Sequence, residues 1–218
     1  MTKGKFITLE GLDGSGKTTQ IKRLDAWLRE RGHVTTLMRQ PGGTATGDRI
    51  RELLLSSKSA GIAPMAEMAL MFADRAQAIT EVIRPSLEAG KVVVCDRFTD
   101  STEAYQGGGR ELGSEVVLEL HRVICGGLNP DLTLMLLPDL EPSLERARRR
   151  NQKANNTAGP DENRFELEAD AFHRRVWEKY HEIARREPGR VVLIEGALGI
   201  EDVHQRIVAA VSECIAKQ

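Results

Sequence analysis

The sequence predicts an α/β fold: a three-layer sandwich in which a five-stranded, mainly parallel sheet is flanked by helices. Three observations predict it. Short apolar runs at 6–9, 34–38, 92–95, 132–137 and 191–194 alternate with longer stretches of helical periodicity. Runs such as Val92–Cys95 and Leu132–Leu137 are apolar throughout, which suits strands buried on both faces. The length, 218 residues, gives one domain with a sizeable core and is short for two.

Composition narrows the partners. The formal net charge is −1, which argues against a nucleic-acid binder and leaves any basic function to local clusters. No apolar run approaches the roughly 20 residues of a membrane span. Cys95, Cys125 and Cys214 are odd in number, scattered and in no metal-binding spacing, which fits a reducing cytoplasm. The N-terminus enters the first strand almost at once, so no signal peptide is expected.

The first strand, Phe6–Leu9, leads into a glycine-rich turn and then a helix over 18–31 with Ile21, Leu24, Trp27 and Leu28 at helical spacing. Between them stands G-x-x-x-x-G-K-[ST], read as Gly11, Gly16, Lys17 and Thr18, with Gly14, Ser15 and Thr19 completing the loop. A polyphosphate needs several backbone N–H groups converging on it, and glycines let the chain fold that closely. The helix N-terminus adds positive charge, Lys17 reaches the β- and γ-phosphates, and the Thr18 hydroxyl suits Mg²⁺.

Gly32 stops the helix and Val34–Met38 is the second strand, followed by the turn Arg39-Gln40-Pro41-Gly42-Gly43-Thr44. A short helix over 47–55 and a polar connector over 56–63 come next. Pro64 opens a long helix to about Ala89, with Pro85 kinking its last turn. After strand Val92–Cys95 come Asp96-Arg97-Phe98, then a short helix over 100–106 broken by Gly107-Gly108-Gly109. Helix 114–125, strand Leu132–Leu137 and a basic helix over 140–150 follow. Residues 151–163 hold no apolar side chain beyond alanine and are expected to be mobile. A helix over 164–186, strand Val191–Ile194 and an amphipathic helix over 200–216 complete the chain.

Ligands of parallel sheets bind outside the carboxyl ends of the strands. That gathers the glycine loop, Arg39–Thr44 and Asp96–Phe98 on one rim. Asp96 is placed to serve a metal with Thr18. Arg39 and Arg97, with Lys17, are placed to hold a second phosphate. Arg146, Arg148, Arg149, Arg150 and Arg164 flank the polar stretch, so residues from about 146 to 164 read as a lid that brings positive charge to a transferring phosphoryl group.

With these residues assembled, the chain resembles thymidylate kinases of the bacterial kind over nearly its whole length, as a single nucleoside-monophosphate-kinase-like domain, 1–218, of P-loop NTPase fold. The resemblance rests on Gly11–Thr19, Arg39–Thr44, Phe72-Ala73-Asp74-Arg75, the run at 81–85, Asp96-Arg97-Phe98, and Ser101 through Arg110. It implies transfer of the ATP γ-phosphoryl to dTMP with Mg²⁺, and a homodimer through the helices at 64–89 and 114–125. By the same resemblance Asp13 contacts the sugar, Phe72 stacks on thymine, and Arg75 and Gln106 read its polar edge. Tyr105 excludes a ribose 2′-hydroxyl, Arg39 and Arg97 hold the dTMP phosphate, Ser101 belongs to the acceptor site, and Asp96 serves metal or acceptor. Gly14 stands where one branch of the family carries a catalytic arginine, so here that charge comes from the lid, with Arg149 and Arg164 the chosen residues. The chain departs from the family at Gln40, where glutamate is usual, and at Leu137-Pro138, where an acidic residue is usual. The alternatives are a kinase for another nucleoside monophosphate, against which Tyr105 and the base-reading set count, and a weakly catalytic nucleotide-binding paralogue, for which Gln40 speaks.

Overall fold

A computed structural model of the chain describes residues 4–59, 61–155, 164–165 and 167–217. Its sheet comprises β1 (Lys5–Glu10), β2 (Thr35–Arg39), β3 (Val92–Asp96), β4 (Leu132–Leu137) and β5 (Val191–Glu195). All neighbours pair in parallel, in the order β2–β3–β1–β4–β5. The helices are α1 (Lys17–Glu30), α2 (Ala45–Leu55), α3 (Pro64–Ala78), α4 (Arg84–Glu88), α5 (Thr99–Thr102), α6 (Ser114–Ile124), α7 (Leu140–Asn155), α8 (Asp170–Arg186) and α9 (Ile200–Ala216).

Strand alternation sorts the core into two layers. Ile7, Leu9, Val92, Val94, Leu132 and Leu134 face α1 and α9. Phe6, Val93 and Cys95 face α3 and α6, while Met135 and Leu137 face α8. The register sets the rim: Arg39 lies opposite Asp96, and Asp96 opposite Leu9, so the ends of β2, β3 and β1 converge.

Four local readings are corrected. The long helix to Ala89 is not continuous: α3 ends at Ala78, a π turn spans Ile79–Ile83, and α4 carries Pro85. Proline lacks an N–H and crowds the carbonyl four residues back, and the wider turn absorbs both defects without a chain break. The helix over 164–186 starts only at Asp170; Arg164 instead docks its N–H on Leu55 O at 3.1 Å. The basic helix runs on to Asn155, beyond 150. Of the stretch expected to be mobile, residues 156–163 lie outside the described residues, as do the side chains of Arg148 and Arg150.

The fourth correction concerns Gly107-Gly108-Gly109. The triplet does not break its helix but completes a π-helical stretch, Glu103–Gly109. Its glycines are there for contact. A Cβ on Gly108 would sit 2.8 Å from Lys179 Cβ, and one on Gly109 would sit 2.5 Å from the Phe172 ring. The stretch therefore lies directly against α8, and Arg186 fixes the contact by gripping Glu103 at 2.6 and 2.7 Å; just outside both elements, Arg190 grips Asp100 at 2.7 and 3.0 Å.

Gly109→Ala is expected to cost about 1–3 kcal/mol of stability through overpacking. Gly189, with open space around it, should tolerate alanine within about 0.5 kcal/mol. Urea unfolding of the two variants checks this, and equal effects would contradict the close-contact reading.

Candidate active site

The rim encloses a cleft of about 870 Å³. One wall is the glycine loop. Gly11 takes φ +135° and leaves no room for a side chain, since a Cβ there would sit 2.1 Å from Leu136 O. Gly16 caps α1 at φ +96° with nothing within 4 Å of a Cβ, so conformation rather than space requires glycine there. Lys17 folds over the loop, donating to Gly11 O and Leu12 O at 3.0 Å each. Burial first, and Arg97 second, draw its pKa down to about 8. Residues 13–19 all line the cleft, while Gly11 lies beneath them.

Arg97 stands opposite, in a left-handed backbone conformation with φ +69°. It donates to Gly11 O and Asp13 Oδ1 at 2.9 Å, Ser101 Oγ at 3.1 Å, and the hydroxyls of Tyr105 and Tyr180 at 3.3 Å. Asp96 lines the cleft beside it, with its Oδ1 buried and unpartnered. Arg39 also lines the cleft, with its guanidinium 3.8 Å from Asp48.

Arg75 lies between two aromatic rings, its guanidinium carbon 5.0 Å from the Phe72 centroid and 5.1 Å from that of Phe98. Its Nε donates to Gln40 Oε1 at 3.0 Å, and its Nη2 to Phe98 O and Thr102 Oγ1 at 3.1 and 3.0 Å. Nη1 is buried without a partner. Gln40 thus serves as a neutral acceptor that orients Arg75. Next to Arg75, Asp74 accepts from Gly42 N–H at 2.9 Å and so pins the turn after β2; burial pushes its carboxyl up to about 6.

The structure brings Asp13, Lys17, Thr18, Arg39, Arg75, Asp96, Arg97, Ser101, Tyr105 and Gln106 to one cleft. Phe72 it does not. Phe72 is fully buried with Phe6, Met38 and Phe98, and supports Arg75 from below; Met71, one residue earlier, lines the cleft. Met71 stands a full helical turn, four residues, before Arg75, and that spacing was the available signal. Arg149 is exposed and reaches Glu145 at 3.4 Å. Arg164 is buried against Glu67 and donates to Leu54 O at 2.9 Å. Neither lines the cleft. Arg146 does, with its Nε donating to Gly14 O at 2.9 Å. Arg51 and Phe165 are further lining residues that sequence reasoning missed.

Glu10, at the end of β1, was also missed because one acid in an apolar run gives no periodic signal. It is fully buried and accepts from Phe98 N–H at 2.7 Å, from the Ser101 hydroxyl, and from Tyr180 OH at 3.4 Å. Burial above all, then Asp100, pushes its carboxyl up to about 7.

Comparison with known proteins places this arrangement. A family model described as thymidylate kinase matches residues 9–207. The thymidylate kinase of Pelobacter propionicus is 48% identical over 208 residues, covering 95% of this chain and 94% of the relative. That of Desulfovibrio desulfuricans is 50% identical over 198 residues, covering 91% and 90%. The crystal structure of the Ehrlichia chaffeensis thymidylate kinase aligns with a TM-score of 0.76 at 30% identity, covering 96% of this chain and 99% of that one.

The Glu10 carboxyl yields a pH signature. With its pKa raised from 4.5 to about 7, the stability it contributes is present below pH 4.5 and is lost as pH rises through 7. At about 1.4 kcal/mol per pKa unit, the loss is about 3 kcal/mol. Glu10→Gln should remove this dependence, so the stability difference between the native chain and the variant should shrink or reverse by about that amount between pH 4.5 and 8. Denaturant titrations across that range measure it, and a pH-independent difference would contradict the assignment.

Proposed function

The chain belongs to the thymidylate kinase family and phosphorylates dTMP to dTDP; from that premise we propose how its residues divide the work. The backbone N–H groups of residues 14–19 and the Lys17 ammonium hold the phosphates of ATP, the donor. Arg39 and Arg97 hold the phosphate of dTMP, Asp13 and Tyr105 face its sugar, and Arg75 and Gln106 meet its base beside an apolar wall of Met71 and Phe165. Thr18 and Asp96 suit a magnesium ion, because Asp96 keeps a buried oxygen without a protein partner at the edge of the phosphate loop. The ion would supply charge neutralisation to the phosphates.

Phosphoryl transfer needs positioning and positive charge more than covalent chemistry. Lys17 and Arg97 come from the rigid rim. The third charge we assign to Arg146, the lid arginine that lines the cleft and touches the loop backbone. Arg164 then has a structural task and Arg149 none in the chemistry. The observation that carries this reading is the meeting of the phosphate loop and the unspent Arg75 Nη1 in one cleft. Neither alternative, another acceptor or a non-catalytic paralogue, finds support in a relative.

The proposal includes a homodimer. Val116 and Val123, seven residues apart on one face of α6, are exposed together with Ile124, a stripe that a second copy would cover. It also includes a cytoplasmic location, which the free thiols Cys95, Cys125 and Cys214 suit. Among the described residues no helix is long and apolar enough to cross a membrane.

A coupled ADP-release assay with ATP and Mg²⁺ should give turnover with dTMP far above dCMP, dGMP or AMP. Preference for another acceptor would overturn the base-side assignment. In the same assay Arg146→Ala should lower kcat at least about a hundredfold, and Arg149→Ala only a few-fold. An Arg146→Ala enzyme with native kcat would move the lid charge elsewhere. For the dimer, Val123→Glu should halve the mass measured by sedimentation, and an unchanged mass would place the interface off α6.

A further inference from the structure

Glu67, Met71 and Arg75 form one stripe of α3 at successive intervals of four residues. Glu67 is fully buried and lies behind the cleft wall rather than on it. Four donors converge on its carboxylate. Oε1 accepts from Gln106 Nε2 at 2.8 Å and Arg110 Nε at 3.2 Å; Oε2 accepts from Arg110 Nη2 at 3.1 Å and from Arg164 Nη2. Arg110 is itself held by Glu168 at 2.6 Å.

A carboxylate set between two guanidinium groups offers acceptors only. Gln106 must therefore turn its amino group toward Glu67. An amide that could face the cleft either way is left with one polarity there, its carbonyl oxygen. Beside it, Arg75 spends its Nε on Gln40 and its Nη2 on Phe98 and Thr102, and the buried Nη1 remains as a donor. The polar wall of the base site thus pairs one donor with one acceptor. That matches a ring carbonyl next to a ring N–H, the edge of thymine. It opposes an exocyclic amino group next to a bare ring nitrogen, the edge of cytosine.

We propose that Glu67 is a specificity-determining positioning residue: by holding Gln106 Nε2 it fixes the donor and acceptor order of the base wall and so selects thymine over cytosine. The inference rests on the assignment of Arg75 and Gln106 as the groups that meet the base. A free amide would present either end at little cost, and the wall would lose its sense. A site built on buried hydrogen bonds rejects a mismatched partner strongly because both sides are left unpaired.

The test is the ratio of kcat/KM for dTMP to that for dCMP, with dCMP also read as a competitive inhibitor of dTMP. Glu67→Gln keeps the shape but can donate as well as accept, which frees Gln106 to turn. Its ratio should fall at least about tenfold, chiefly through a higher KM for dTMP, while the KM for ATP stays within about twofold. A variant that loses activity on both nucleotides equally, with an unchanged ratio, overturns the inference and leaves Glu67 a purely structural role. Gln106→Ala separates the two layers. If it leaves the ratio unchanged, the base-meeting assignment is wrong; if it lowers the ratio and Glu67→Gln does not, only the role of Glu67 is wrong. Should Glu67→Gln fail to fold, E67Q/R164Q removes one buried cation with the lost anion and carries the same expectation.

Discussion

Arg97 is held by five acceptors in a backbone conformation that non-glycine residues rarely adopt, and the cleft takes its shape from that compromise. A left-handed non-glycine residue costs on the order of 1–3 kcal/mol, so it persists only where its surroundings over-determine it. Here they come from four separate places: the phosphate loop, the segment after β3, the π-helical stretch and α8. One side chain ties them to each other. Glu10 works from below in the same way, accepting from the Phe98 backbone, Ser101 and Tyr180, so that a buried acid and a buried base lock the strand ends into a fixed rim. Fixed dipoles and charges are what phosphoryl transfer asks of a protein, and rigidity at the sheet edge supplies them.

Much of this was legible in the sequence, and the failures share a cause. The five strands and the phosphate loop follow from local pattern: apolar runs, a glycine spacing, a helix start. The burial of both strand faces, the order of the rim and the meeting of Asp96 with Arg39 follow from the parallel rule. Phe72 was given to the base by resemblance, through the run Phe72-Ala73-Asp74-Arg75, whereas the phase of α3 decides which side chain meets the cleft, and that phase selects Met71. Gly107–Gly109 was misread because a triplet of glycines signals a break when read locally. In the fold it records how closely α8 approaches, a fact held by residues 63 to 71 positions away. Arg164 and Arg149 were chosen by their nearness to a polar stretch. Sequence proximity says nothing of partners, and it is Glu67, on a distant helix, that claims Arg164.

Gln40 shows how a substitution can be absorbed. A glutamate there would give Arg75 a charged partner; the amide gives it a neutral acceptor at 3.0 Å. Arg75 is flanked by Phe72 and Phe98, and burial lowers its pKa, so it is poorly compensated within the protein. A cation so placed favours a ligand that brings an acceptor to it.

The stripe of Glu67, Met71 and Arg75 also bears on how such an enzyme diversifies. In the proposed assignment the polar groups that would meet the acceptor base sit on one face of α3 and on the stretch packed beside it. The same assignment gives the donor phosphates to another element, the turn after β1. On that assignment selectivity and chemistry are separately inheritable: a lineage could drift through new acceptors by exchanging a few side chains on α3 and the neighbouring stretch, without its phosphate grip ever coming under mutation.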